Sequence, residues 1–310
     1  MRPPRSGRIS IAQRLALSLT VLMTLAACSG KAAQVQPTPR TSPPAPTFPS
    51  PEPSPTPTPS HVFVIVLENR SYAQVVGSGY IAQLAQKYAF TSDYHGVSHP
   101  SLPNYLALTS GSTYGIADDG WHSLPAGGLG AQLTSAGISW RAYMEGMSNG
   151  CYRSPYPYAL KHNPFAYYGG TCPPQVVPFS SFASDMTADV PRFVWITPDL
   201  CHDGHDCSNS VVDAWLAQTV PTILATDAWS DNGVLFITWD EGEDSANSVL
   251  TLVIHSDPLL HRSDRSYTHY SLLATIEDEL GVPRLGGAAQ ATPIDDLLAS
   301  KPLPRFRSQT

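Results

Sequence analysis

VFVIVLEN, residues 62–69, is the stretch on which the fold turns. Val62 to Leu67 is an unbroken β-branched and apolar run, the pattern of a strand covered on both faces, and it stops at Glu68-Asn69, which must emerge at the strand's carboxyl end. The same pattern returns at RFVWIT (192–197), at VLFITW (234–239), which runs directly into Asp240-Glu241, and at VLTLVI (249–254). Between these runs lie helical patterns near 81–88, 103–110, 129–136, 211–225 and 270–280. Strands alternating with helices predict an α/β fold: three layers, α/β/α, around a mostly parallel sheet. Open sheets of that kind carry their sites beyond the carboxyl ends of the strands.

The reactive side chains gather at those ends. Glu68-Asn69 and Asp240-Glu241 each follow a strand, and Cys201-His202-Asp203-Gly204-His205-Asp206-Cys207 follows RFVWIT and its Pro198-Asp199 turn. Carboxylates converging in space repel one another and protonate unless a cation sits among them, so these residues are expected to hold a divalent metal ion, its identity open. Ser101 lies in His99-Pro100-Ser101-Leu102-Pro103-Asn104-Tyr105, just ahead of the helical run Leu106-Ala107-Leu108. A serine at a helix start faces unpaired backbone N–H groups that favour an anion, so it can attack phosphorus while they hold the phosphoryl oxygens. A plain capping serine and solvated turn acids are the structural alternatives. Asp203 and His205, with His269, are expected to complete a second cation site or to position substrate and leaving group; otherwise His269 is a helix-cap or core histidine. Lys161-His162, before the turn at Asn163-Pro164, offers a cation and an imidazole to substrate phosphate, and Glu145 is a supporting acid after the strand-like run 138–144.

Residues 1–27 read as an export signal: Arg2, Arg5, Arg8 and Arg14 without an acid, then an apolar run from Leu15 to Ala27 too short for a comfortable membrane span. The run ends Leu25-Ala26-Ala27-Cys28, which resembles a bacterial lipobox and would make Cys28 a lipidated anchor on the outer face of the cell membrane. Residues 28–60, rich in Pro, Thr and Ser, read as an extended polyproline spacer, leaving 61–310 as one domain. The formal charge is −7, which argues against nucleic acid as a partner and requires any phosphate binding to come from local groups. The remaining cysteines, Cys151, Cys172, Cys201 and Cys207, are even in number, as expected of two disulfides in an exported protein. Three pairings are open; proximity favours 151 with 172 and 201 with 207, against a zinc site built from Cys201, His202, His205 and Cys207.

Taken in order, Glu68-Asn69-Arg70-Ser71, His99-Pro100-Ser101 through Leu108, His205-Asp206, Thr238-Trp239-Asp240-Glu241 and His269-Tyr270 resemble the bacterial acid phosphatase and phospholipase C phosphoesterase family. Within it the likeness is to short secreted mycobacterial acid phosphatases that also act on phosphatidylinositol 3-phosphate. The resemblance implies an alkaline-phosphatase-like fold and phosphate-ester substrates. It implies Ser101 as a transiently phosphorylated nucleophile that also touches the metal, with Glu68, Asn69, Asp240 and Glu241 as the metal's other ligands. Asp203, His205 and His269 correspond to a second set of ligands. His99 and His205 are expected to assist catalysis, and Asn104, Lys161 and His162 to contact substrate. A phosphodiesterase or phospholipase C is the neighbouring expectation; a catalytically inactive surface binding protein is the expectation from another class.

Overall fold

The structure, a computed structural model, describes residues 61–77, 79–256 and 261–298. The expected leader, Cys28 and the spacer lie outside these residues. The strands are β1 (Val62–Leu67), β2 (Ala89–His95), β3 (Trp140–Met144), β4 (Val176–Pro178), β5 (Phe193–Thr197), β6 (Val234–Trp239), β7 (Ser248–His255), β8 (Arg262–Ser263) and β9 (Tyr267–Thr268). The α-helices are α1 (Tyr72–Val75), α2 (Gly79–Lys87), α3 (Ser101–Ser110), α4 (Gly128–Ser135), α5 (Phe182–Asp185), α6 (Asn209–Leu224), α7 (Asp227–Ser230) and α8 (His269–Leu280). Among the described residues no helix is long and apolar enough to cross a membrane.

The strands form one sheet in the order β4-β3-β5-β1-β6-β7-β2-β8, with β9 also on β2. From β4 to β6 every pairing is parallel, and β7 runs antiparallel to both β6 and β2. The expected mostly parallel α/β sheet is therefore present, with an antiparallel part beyond β6. Strands β1, β5 and β6 are buried at every position, as their continuous apolar runs require. Helices flank the sheet: α3 packs with α4 and α8, and α2 packs on α6.

Register brings the reactive ends together. Leu67 pairs with Trp239 and Ile65 with Ile196, so Glu68, the segment after Thr197, and Asp240 leave the sheet together at the carboxyl ends of three adjacent strands. The hairpin between β6 and β7 is held by Asp244, which accepts from the N–H groups of Ala246 and Ser248, and by Asn247 Oδ1, which accepts from Gly242 N–H at 2.7 Å. A Cβ on Gly242 would stand 2.6 Å from the carbonyl oxygen of Ser248, so only glycine fits there. Both disulfides form as proximity suggested, Cys151–Cys172 and Cys201–Cys207, with Cα separations of 6.0 and 4.7 Å. The second bond takes Cys201 and Cys207 out of any zinc site.

The helices begin slightly earlier than their apolar periodicity suggests. Helix α3 starts at Ser101 itself, two residues ahead of the expected start, and all ten of its residues are buried. Helix α8 carries a buried acid, Glu277, whose Oε1 accepts from Leu285 N–H at 2.8 Å while Oε2 has no partner. Burial pushes its carboxyl up to about 8. A raised acid keeps its proton in the folded state over a range where the unfolded chain has lost it. Stability from this group therefore falls as pH rises from about 4.5 to 8 and changes little above that. Glu277→Gln keeps the acceptor and removes the titration. Its thermal unfolding should lose roughly 1 kcal/mol of the wild-type decline between pH 5 and 8, a figure already reduced for partial solvent screening. Calorimetry of the two proteins across that range checks this, and parallel pH profiles would refute it.

Candidate active site

Ser101 stands at the first turn of α3, behind Pro100, and is 1% exposed. Its hydroxyl donates to Glu68 Oε2 at 3.1 Å, and Lys161 Nζ lies 3.5 Å away. The helix start is fixed by Asn104, whose Oδ1 accepts from the N–H groups of Val97 and Ser98 at 2.9 and 3.0 Å. Its Nδ2 donates to the carbonyls of Ser98 and Pro100 at 2.9 and 3.3 Å. Expected as a substrate contact, Asn104 instead spends both ends of its amide on the backbone. It folds the 97–100 loop over its own helix.

Glu68 and Asp240 are completely buried, and each has one oxygen without a hydrogen-bond partner, Oε1 and Oδ2 respectively. The other oxygen of Asp240 accepts from Asn69 N–H at 3.2 Å. Asn69 adopts φ of +48°, a left-handed conformation that asparagine tolerates, and Arg70 clamps it in place. The Arg70 guanidinium donates to the carbonyls of Asn69 and Cys207 and to Asn209 Oδ1, tying the end of β1 to the disulfide loop. Glu241 is nearly buried and hydrogen-bonds to His99 Nδ1, whose ring is more than half exposed.

Asp203 enters from the disulfide loop and is also completely buried. Its Oδ1 accepts from His205 N–H at 2.8 Å and its Oδ2 pairs with His162 Nδ1 at 3.1 Å, while its backbone carbonyl accepts from Glu68 N–H at 2.9 Å. His162 thus lies between two acids. Its Nε2 is 3.2 Å from Glu68 Oε1, a close ion-pair approach that lacks hydrogen-bond geometry, and its ring stacks on Tyr105. Glu68, His162 and Asp203 offer ligand atoms that all lie within 4.8 Å of one another. Two unit charges at that separation repel by about 3–4 kcal/mol at an effective dielectric of 20. Burial and the neighbouring acids accordingly raise Glu68 and Asp240 well above the carboxylate range. Burial chiefly raises Asp203, to about 7. The unpartnered oxygens and the crowding of acids are what a cation site needs, so this donor set fits a metal ion.

His269 is placed differently from the expected ligand. Its Nε2 meets the backbone carbonyl of Asp240 at 2.5 Å and its Nδ1 meets the Tyr94 hydroxyl at 3.0 Å, so both nitrogens are engaged. Burial lowers its pKa to about 4 and keeps the ring neutral. A neutral imidazole donating to a carbonyl fixes the backbone that aims Asp240. His205, expected in the same set, is turned outward: its Nδ1 pairs with Asp206 Oδ1 at 2.7 Å and its Nε2 faces Lys161 Nζ at 3.4 Å. The second set is thus not assembled around one point, and Asp203 joins Glu68 and His162 instead.

One contributor was not visible in the sequence. Asp119, from the loop between α3 and α4, accepts from Leu102 N–H at 3.0 Å through Oδ1 and pairs with Lys161 Nζ at 2.9 Å through Oδ2. Burial pulls the Lys161 ammonium down, but Asp119, Glu68 and Asp240 outweigh it and raise its pKa, so it stays charged. Behind the disulfide loop, Glu145 Oε2 accepts from Asp199 N–H and pairs with His202 Nδ1 at 3.0 Å, while Trp215 donates to Oε1. Those groups satisfy one another and brace the loop that delivers Asp203.

The chain superposes on a protein of the alkaline phosphatase superfamily from Vibrio parahaemolyticus with a TM-score of 0.56 at 13% identity, over 80% of this chain and 71% of that one. Against the phosphonate monoester hydrolase of Agrobacterium radiobacter the TM-score is 0.52 at 11% identity, over 76% and 78%. These likenesses establish an α/β fold of the alkaline-phosphatase kind. Residues 78–257 match the Phosphoesterase family, and the chain belongs to it. It is 32% identical over 251 residues to the phosphatidylinositol-3-phosphatase of Mycobacterium tuberculosis, a match spanning 76% of this chain and 82% of that protein. It is 28% identical over 244 residues to an acid phosphatase of Aspergillus niger, spanning 72% of this chain and only 58% of the fungal protein. The resemblance read from the motifs is borne out, and the chain is a phosphoric ester hydrolase.

Asn104 separates a brace from a substrate contact experimentally. Asn104→Ala strands the partly buried N–H groups of Val97 and Ser98 and should lower unfolding stability by about 1–3 kcal/mol in denaturant titration. Unchanged stability with a raised KM would instead make it a substrate contact.

Proposed function

We propose that the chain is an exported phosphomonoesterase working through a phosphoserine on Ser101. The observation that carries this reading is the Ser101 hydroxyl at a helix start, donating inward to Glu68 with Lys161 on its outer side. Glu68, ionised when a bound cation offsets the neighbouring acids, takes the proton on Oε2 as Oγ attacks phosphorus in line; the Oγ–P bond forms and the ester O–P bond breaks. Lys161 and the first N–H groups of α3 stabilise the phosphoryl oxygens. His205, beside Lys161, supplies a proton to the leaving oxygen and then takes one from the water that hydrolyses the phosphoserine. His99 orients Glu241.

Glu68, Asn69, Asp240 and Glu241, with Ser101, are the residues that would hold a divalent cation. When bound it would lower the pKa of the Ser101 hydroxyl and offset the charge of the transition state. The phosphoinositide name of the mycobacterial relative makes phosphatidylinositol 3-phosphate a candidate substrate for this chain. Preference for acidic pH follows the fungal relatives' names. Export and lipid anchoring at Cys28 are supported by the leader pattern and by two disulfides, which suit an oxidising compartment.

Ser101→Ala should reduce turnover of an aryl phosphate by at least about 10³-fold while leaving thermal unfolding unchanged. Wild-type turnover in that variant would sink the proposal, and comparable rates on a bis-aryl phosphate would point to a diesterase. Divalent cations added to chelator-treated protein should raise Tm in the wild type and much less in Asp240→Asn, since binding only the folded state stabilises it. An equal rise in both would place the ion elsewhere.

A further inference from the structure

We propose that Asp119 is an internal competitor in this site, a residue that holds the phosphoryl-binding donors and weakens retention of free phosphate. The inference rests on the phosphoserine reading above and deepens it. Leu102 N–H is the backbone donor next to the nucleophile and has no partner within the helix, as at any helix start. Lys161 Nζ is the ammonium 3.5 Å from Ser101 Oγ. A phosphoryl group bonded to that oxygen brings its own oxygens within reach of the same two donors. In the structure one carboxylate holds both, Oδ1 on Leu102 N–H at 3.0 Å and Oδ2 on Lys161 at 2.9 Å.

Local capping alone does not account for this placement. The residue at the capping position is Pro100, which has no side-chain donor or acceptor, and Asp119 reaches the helix start from a loop that follows the helix. Its second oxygen contributes nothing to the helix; it neutralises the cation beside the nucleophile. The Asp119 side chain is about 30% exposed, unlike Glu68, Asp203 and Asp240, so it can turn toward solvent without a rearrangement of the sheet. A substrate brings additional binding energy from its ester substituent and displaces the carboxylate. Inorganic phosphate has no such substituent, competes less well, and leaves sooner. The displacement cost falls on ester and phosphate alike; the ester's substituent offsets it and phosphate has nothing to offset it, so the carboxylate promotes product release.

The test is Asp119→Asn in the full chain, with inorganic phosphate as the probe. Asparagine keeps an acceptor for Leu102 N–H but gives up the charge on Lys161. The inhibition constant of phosphate should fall about tenfold relative to wild type, the size of one charge-assisted hydrogen bond. KM for an aryl phosphate should fall in parallel wherever it reflects binding. An unchanged or raised inhibition constant overturns the inference, as does a kcat loss of about 10²-fold with phosphate affinity unchanged, which would make Asp119 a participant in the chemistry. Asp119→Ala, which also strands Leu102 N–H, should show the same gain in phosphate affinity with a lower Tm; a lower Tm alone would mean a purely structural residue. If wild-type protein hydrolyses the ester and only the inhibition constants fail to move, the phosphoserine reading stands without this addition. If wild type neither turns over ester nor binds phosphate, both fall.

Discussion

Burial of charge at the ends of adjacent strands is the constraint on which the rest of this molecule depends. Glu68, Asp203 and Asp240 sit without solvent exposure where β1, the loop after β5, and β6 leave the sheet. Their mutual repulsion, about 3–4 kcal/mol for one close ionised pair, is a sizeable fraction of the net stability of a typical domain, about 5–15 kcal/mol, so packing and hydrogen bonds must hold them. The holding groups are visible: three fully buried parallel strands below, Arg70 across the strand ends, and His269 on the carbonyl of Asp240. An acidic interior of this kind is a site for a cation or for shared protons, and little else.

The sheet was legible because its central strands have no polar face. VFVIVL and VLFITW cannot pair at an edge without exposing apolar surface, and both appear as strands with the bounds their composition suggests. Less was legible where chain direction reverses. Strand β2, AFTSDYH, is antiparallel to β7 and carries the consecutive polar run Thr91-Ser92-Asp93, so its apolar content is too thin to distinguish it from a loop. Position of the acids at strand ends followed directly from the strand boundaries. Their partners did not, because Asp119 and Arg70 act through long-range contacts that leave no periodicity or spacing in the sequence.

The histidines show the same limit from the other side. His162, His205 and His269 are chemically alike in sequence, and each is surrounded by polar neighbours. Structure distributes them by what they touch. His162 is enclosed between Glu68 and Asp203 with its pKa driven well down, first by burial and then by Lys161. His269 is spent on a carbonyl and a phenol, and only His205 faces outward beside Lys161. A residue type specifies which chemistry is available; the second nitrogen's partner decides whether it is used for ligation, proton transfer or bracing.

Ser101 lies on the boundary that this arrangement creates. On its inner side is Glu68, embedded among acids that raise its affinity for a proton; on its outer side is Lys161, kept charged by the acids around it. A hydroxyl so placed has a proton acceptor and an anion-binding group both within reach, and the attraction between the two charges helps keep the lysine protonated. On the proposed mechanism the proton leaves toward the protein interior while the phosphoryl group arrives from the solvent side, so the two charge movements do not cross. Exchanging the polarity, with the cation buried and the acids outside, would repel the substrate and leave the hydroxyl without a base. The order of burial, acid and serine inside and lysine partly exposed, is what turns a crowded set of strand ends into a directional site.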